Sequence, residues 1–122
     1  MHERYIAMQK KSFNTPDQTM TPPNTKVEVV QIANASLARN TFEPGWKWST
    51  DVKPLAGTAS CQVHHVLCIL SGQLRVVMDD GTELQADPSD IVDIPAGHDA
   101  WVVGEAPVVA IDCGGAIYPT TS

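Results

Sequence analysis

The sequence predicts an all-β domain, a sandwich or a barrel, on three observations. Its apolar and alternating runs are short, about four to eight residues each. Turn signals built on Gly, Pro, Asn and Asp separate these runs at intervals of about eight to twelve residues. No stretch sustains a helical period, so helices are not expected. A chain of 122 residues can bury about two-thirds of its unfolded surface in a single core, but not in two.

Residues 1–24 are polar, carry Pro16, Pro22 and Pro23, and show no period. They predict a flexible arm with a short extended piece able to dock on a neighbour, and His2 within it has no expected role. The barrel proper is expected over residues 25–114, with a tail at 115–122. Lys-Val-Glu-Val-Val-Gln-Ile (26–32) alternates as a strand does. After the Ala33-Asn34 turn, residues 35–42 give a second strand, ended by Pro44-Gly45. Trp46 and Trp48 follow, and on a strand they would share one face. Packing residues and walls of a ligand pocket are both open roles for them, since pockets are mostly apolar and aromatic. Strands are then expected at 62–70, 73–79, 82–86, 91–94, 100–103 and 108–113. The turns between them are Ser71-Gly72, Asp80-Gly81, Asp87-Pro88-Ser89-Asp90 and Pro95-Ala96-Gly97. Asp80-Gly81 is a favoured two-residue hairpin loop, whose central positions both take positive φ.

The formal net charge of -6 argues against nucleic acid, which requires clustered Lys and Arg. No apolar run approaches the ~20 residues that cross a bilayer, so no membrane partner is expected. The first residues hold only Tyr-Ile-Ala-Met as an apolar patch, short for a signal-peptide core, which predicts a cytoplasmic location. Three cysteines, Cys61, Cys68 and Cys113, are an odd count without disulfide or zinc-finger spacing. Free thiols in a reducing compartment follow, with Cys68 and Cys113 as small buried hydrophobes.

Three blocks carry a family resemblance. They are Phe-Glu-Pro-Gly-Trp at 42–46, Cys-Gln-Val-His-His at 61–65 and Gly-His-Asp-Ala-Trp-Val-Val-Gly at 97–104. With Ser71-Gly72, the Met-Asp-Asp-Gly-Thr-Glu hairpin and Ile94-Pro95, they resemble the two motifs of the cupin superfamily, over residues 25–114. The nearest pattern is that of small single-domain cupins of unassigned function. The resemblance implies a jelly-roll β-barrel of six to ten strands, a homodimer, and a site inside the barrel mouth.

Metal-dependent cupins carry His-x-His and a glutamate in the first motif and a histidine in the second. Here the two early histidine positions fall on Ala59 and Cys61, the glutamate position on His65, and the last histidine position on Ala100, with His98 two residues earlier. The three-His, one-Glu set is absent, which lowers dioxygenase chemistry. Cys61, His65 and His98 form instead a sulfur and nitrogen set. Such donors suit zinc first among divalent metals, with copper, iron, nickel or manganese as further choices. Convergence of these three needs a corner, because residues four apart on a straight strand lie roughly 13 Å from each other.

Trp48 and Trp101 are the expected ligand-binding aromatics. His64 should face away from His65, to solvent or a subunit, and Asp99 is either a partner for an imidazole or a loop cap. The predicted function is a metal-binding cupin acting on a small polar organic molecule by lyase, isomerase or hydrolase chemistry. A non-catalytic binding module and a thiol or metal sensor using Cys61 are the alternatives.

Overall fold

A computed structural model describes residues 7–113. His2, residue 114 and the expected tail at 115–122 lie outside the described residues. Among the described residues nine strands and two single-turn helices follow in chain order: β1 (Gln18–Met20), β2 (Thr25–Ile32), β3 (Ala35–Phe42), α1 (Trp48–Asp51), α2 (Lys53–Ala56), β4 (His65–Ser71), β5 (Leu74–Met78), β6 (Glu83–Ala86), β7 (Ile91–Ile94), β8 (His98–Val102) and β9 (Val108–Asp112). A six-stranded sheet runs β1-β2-β3-β9-β4-β7, and a three-stranded sheet runs β6-β5-β8. The strand pairings in both are antiparallel.

Period-two alternation builds the core between the sheets. Leu67 and Ile69 of β4, Val108 and Ala110 of β9, Leu74 and Val76 of β5, and Ala100 and Val102 of β8 are all buried. The same parity carries His98 and Asp112 inward, because each lies two residues from a core position on its strand.

The strands expected from sequence are present with shifted ends. The largest shift is at β4, which begins at His65 rather than at residue 62. Asp80-Gly81 is not a two-residue loop: only Gly81 takes positive φ, 90°. Met78 N donates to Thr82 O and Gly81 N to Met78 O, so a turn followed by a left-handed glycine closes the hairpin. Asp80 favours this longer form by accepting the Thr82 amide at 2.9 Å.

Helices were not expected, yet α1 and α2 occupy the stretch after Trp46. Each is a single turn, too short to show a period. Asp99 of β8 accepts the Ser49 amide at 3.0 Å, and the Lys47 amide reaches the Asp51 carboxylate at 3.2 Å, which fixes the first turn. Pro54 at the start of α2 needs no amide partner there. Trp46 and Trp48 therefore share no strand, although both are buried.

Residues 18–20 pair with β2 of the same chain. Arg39 fastens the preceding residues to the sheet: it bonds both Glu28 oxygens, at 2.9 and 3.1 Å, and the Asn14 side chain at 3.2 Å. Its guanidinium also stands 5.6 Å above the Phe13 ring. Of the remaining cysteines, Cys68 is half-buried and Cys113 exposed, not buried as expected, because Cys68 points to the outer sheet face and Cys113 lies past the end of β9. Among the described residues no helix is long and apolar enough to cross a membrane.

Candidate metal centre

The chain does turn a corner between Cys61 and His65. Residues 62–64 belong to no strand. Cys61 forms an isolated bridge with His98, its amide donating to the His98 carbonyl at 2.7 Å. Its own carbonyl accepts the Gly97 amide at 2.7 Å and the His98 amide at 3.2 Å. Cys61 is thereby attached to β8, while His65 opens β4 in the opposite sheet. The corner lets the two side chains meet across the interior, with Cys61 Sγ 3.7 Å from His65 Nε2.

Each imidazole has its second nitrogen engaged. His65 Nδ1 donates to Asp112 Oδ2 at 2.8 Å. His98 Nδ1 donates to the Pro95 carbonyl at 2.8 Å. These bonds point both Nε2 atoms toward the thiol, the arrangement that orients histidines at metal sites. The two rings meet edge to face, centroids 5.4 Å apart.

One ligand atom from each of Cys61, His65 and His98 lies within 4.8 Å of the others. Tetrahedral zinc, with bonds of about 2.3 Å to sulfur and 2.0 Å to nitrogen, holds such atoms roughly 3.3–3.6 Å apart. The 3.7 Å between Cys61 and His65 is already near that value. Donor chemistry, spacing and imidazole orientation all fit a divalent ion.

Electrostatics set the protons. Burial pushes the Cys61 thiol up, but hydrogen bonds from His65 and then His98 outweigh it and bring its pKa down to about 6. Burial likewise pushes His65 down, and the Asp112 carboxylate, then Cys61, reverse this and raise it to about 9. At neutral pH the metal-free pair is therefore thiolate and imidazolium.

The triad opens on a cavity of about 250 Å³. Trp48 lines it. Trp101 does not: it sits three residues from His98 on β8, on the other face, with Lys47 Nζ 5.2 Å from its ring. Phe42 and Trp46 supply the facing aromatic wall, stacked at 4.2 Å between centroids. His64 faces outward and pairs with Asp93. Asp99 serves as the cap of α1, and the imidazole partner is Asp112, which the sequence reading missed. Its only signal was parity: an acid on the inward face of an apolar strand.

No family model matches the sequence. No curated protein matches it either. Solved structures do. A protein of unknown function from Rhizobium leguminosarum is 21% identical, with a TM-score of 0.62 over 88% of this chain and 96% of that one. KdgF from a Halomonas species is 19% identical, with a TM-score of 0.55 over 78% of this chain and 82% of its own. Oxalate decarboxylase from Bacillus subtilis is 18% identical, with a TM-score of 0.55 over 79% of this chain and 27% of its own. The class is thus defined by shape: the chain has the cupin jelly-roll fold. Within that fold a cysteine and two histidines converge between the two sheets.

Proposed function

We propose that this cupin holds a divalent metal, zinc before copper, iron, nickel or manganese, on Cys61, His65 and His98. A small organic molecule then enters the adjoining cavity and reacts by lyase, isomerase or hydrolase chemistry. One observation carries the proposal: two imidazoles whose second nitrogens are already engaged aim at a single buried thiol, all three donor atoms within 4.8 Å. When bound, such an ion polarises a carbonyl or hydroxyl oxygen or ionises a water. The chain's own part is to orient the donors, to hold the Asp112 side chain against His65, and to exclude bulk water with the Phe42, Trp46 and Trp48 wall.

Metal analysis of protein purified without added metal tests this, followed by Cys61→Ala and His65→Ala. Stoichiometric metal in the parent, lost in both variants, is the expected result. An intact fold with no metal in the parent overturns it.

A non-catalytic binding module is favoured by one feature. The titratable side chains lining the cavity, among the described residues, are Cys61, His65, His98 and Asp112. The triad and its supporting carboxylate use all four, leaving no separate group to move a proton. Retained metal without turnover of any small carbonyl or hydroxyl compound would select the module. A homodimer is part of the proposal, through the outer sheet face where Leu70 and Ile91 are 52% and 71% exposed. A reducing, cytoplasmic setting suits the three free cysteines.

A further inference from the structure

Cys61, His65 and Asp112 form a relay of contacts that needs no ion. Cys61 Sγ lies 3.7 Å from His65 Nε2, and the far nitrogen of that ring, Nδ1, lies 2.8 Å from Asp112 Oδ2. A nucleophile, a base within reach of it and a third group that orients the base are how enzymes activate a thiol. The three residues come from separate places: the segment after α2, the first residue of β4 and the last of β9. The Val63 amide also hydrogen-bonds the sulfur, so Sγ is held in place from the backbone as well.

The relay opens on a space where a substrate fits. Cys61 and His65 both line the 250 Å³ cavity, and the His65 side chain keeps 24% of its surface exposed, so the base is not sealed in the core. Val27, Phe42, Trp48 and Leu74 give that cavity apolar walls. An apolar cavity of ~150 Å³ accepts benzene, so an acyl group up to the size of one ring is accommodated beside the sulfur. The other two thiols, Cys68 and Cys113, do not line the cavity.

We infer that the metal-free protein is a thiol hydrolase of small esters or thioesters with an apolar acyl group, with Cys61 as nucleophile, His65 as acid and base, and Asp112 as the positioning residue. With the thiol proton on His65 Nε2, Sγ bonds to the acyl carbon. The bond from that carbon to the alcohol oxygen or thiol sulfur breaks, and the leaving group takes the proton from His65. His65 then accepts a proton from water, whose oxygen bonds to the acyl carbon as the carbon–Sγ bond breaks. Ester and water have become acid and alcohol, the starting pair is restored, and nothing is oxidised or reduced. This chemistry is separate from that of the metal centre, because a bound ion occupies the same sulfur and Nε2.

The test mixes p-nitrophenyl acetate with the reduced, chelator-treated full chain in a Cys68→Ser/Cys113→Ser background. A burst of nitrophenolate stoichiometric with the chain should precede slower steady release, and peptide mass mapping should find one acetyl group on Cys61. Cys61→Ala should abolish the burst. His65→Ala should slow it about 100-fold or more, and added imidazole should restore part of the rate, which it would not do for a misfolded chain. Asp112→Asn should lower kcat with KM held, the mark of an interaction made in the transition state. An unacetylated Cys61 in the folded parent chain, or a burst of parental size and rate in Cys61→Ala or His65→Ala, overturns the inference. Zinc added back should stop turnover, and this separates the two proposals. Acetylation of Cys61 that is indifferent to zinc ends only the metal centre, whereas zinc bound to a chain whose Cys61 stays inert after chelation ends only the hydrolase.

Discussion

Replacing Asp112 by Asn changes one charge and almost no volume. The native carboxylate accepts the His65 Nδ1 proton at 2.8 Å, with its side chain only 7% exposed. A hydrogen bond to a charged group is worth roughly 1.5–3 kcal/mol. Asn keeps an acceptor oxygen in the same place, so a neutral bond of roughly 0.5–1.5 kcal/mol remains and the charge-dependent share of about 1–1.5 kcal/mol disappears. Each 1.4 kcal/mol is tenfold, which puts the zinc dissociation constant of Asp112→Asn about 5- to 10-fold above that of the parent, at the low end of the range for such supporting partners. Competition against a chromophoric chelator measures it. In the metal-free variant, the NMR titration of the His65 ring should also move below the pKa of about 9 held in the parent. A zinc constant within about threefold of the parent, with the imidazole titration unmoved, would refute the role assigned to Asp112.

Other outcomes follow from the same coordinates. The Cys61 pKa is lowered from 9.0 to about 6, so its stabilising contribution is complete above pH 9 and lost as pH falls through 6. The His65 pKa is raised from 6.5 to about 9, so its contribution is complete below pH 6.5 and lost as pH rises through 9. Over the shared window the native pair and the unfolded chain bind the same single proton. The stability difference in urea between metal-free parent and Cys61→Ala/His65→Ala should therefore stay level from pH 6.5 to 9; a slope near 1.4 kcal/mol per pH unit would contradict it. Gly72→Ala should cost about 3 kcal/mol or more in denaturant midpoint analysis. At φ 81° its Cβ would stand 2.2 Å from the Pro107 carbonyl oxygen, and a loss below about 1 kcal/mol would show that the turn yields. Arg39→Ala should speed tryptic cleavage at Lys10 and Lys11 several-fold, since it removes the bonds to Phe13, Asn14 and Glu28; an unchanged rate would mean the first strand alone holds that segment.

What the sequence disclosed depended on where local rules had authority. β3 was legible to the residue because the Ala33-Asn34 turn and Pro44-Gly45 bracket it. Two single-turn helices escaped because four residues cannot display a period. The bend at residues 62–64 contains no Gly or Pro. It exists because Cys61 is bonded to β8, while His65 pairs with β7 and its ring is bonded to Asp112 of β9, an obligation set by tertiary contacts. Cys61, His65 and His98 were picked out from block spacing as one converging set, and the corner that lets them meet had no local residue to announce it. Strand parity could have separated Trp101 from His98, since an odd spacing of three places them on opposite faces. Parity also held the clue to Asp112, a polar residue on an inward face that looks like an ordinary strand-end residue in the linear text.

The backbone bridge between Cys61 and His98 has a mechanical consequence. Two of the three donors are welded through main-chain bonds to the small sheet, whereas the third is rooted in the large one. An ion seated among them would act as a rivet between the layers, and its radius would be gauged by how far apart those layers stand. Discrimination among metals would then be settled by the spacing of the whole barrel, and loading should slow hydrogen exchange in β4 and β8 together.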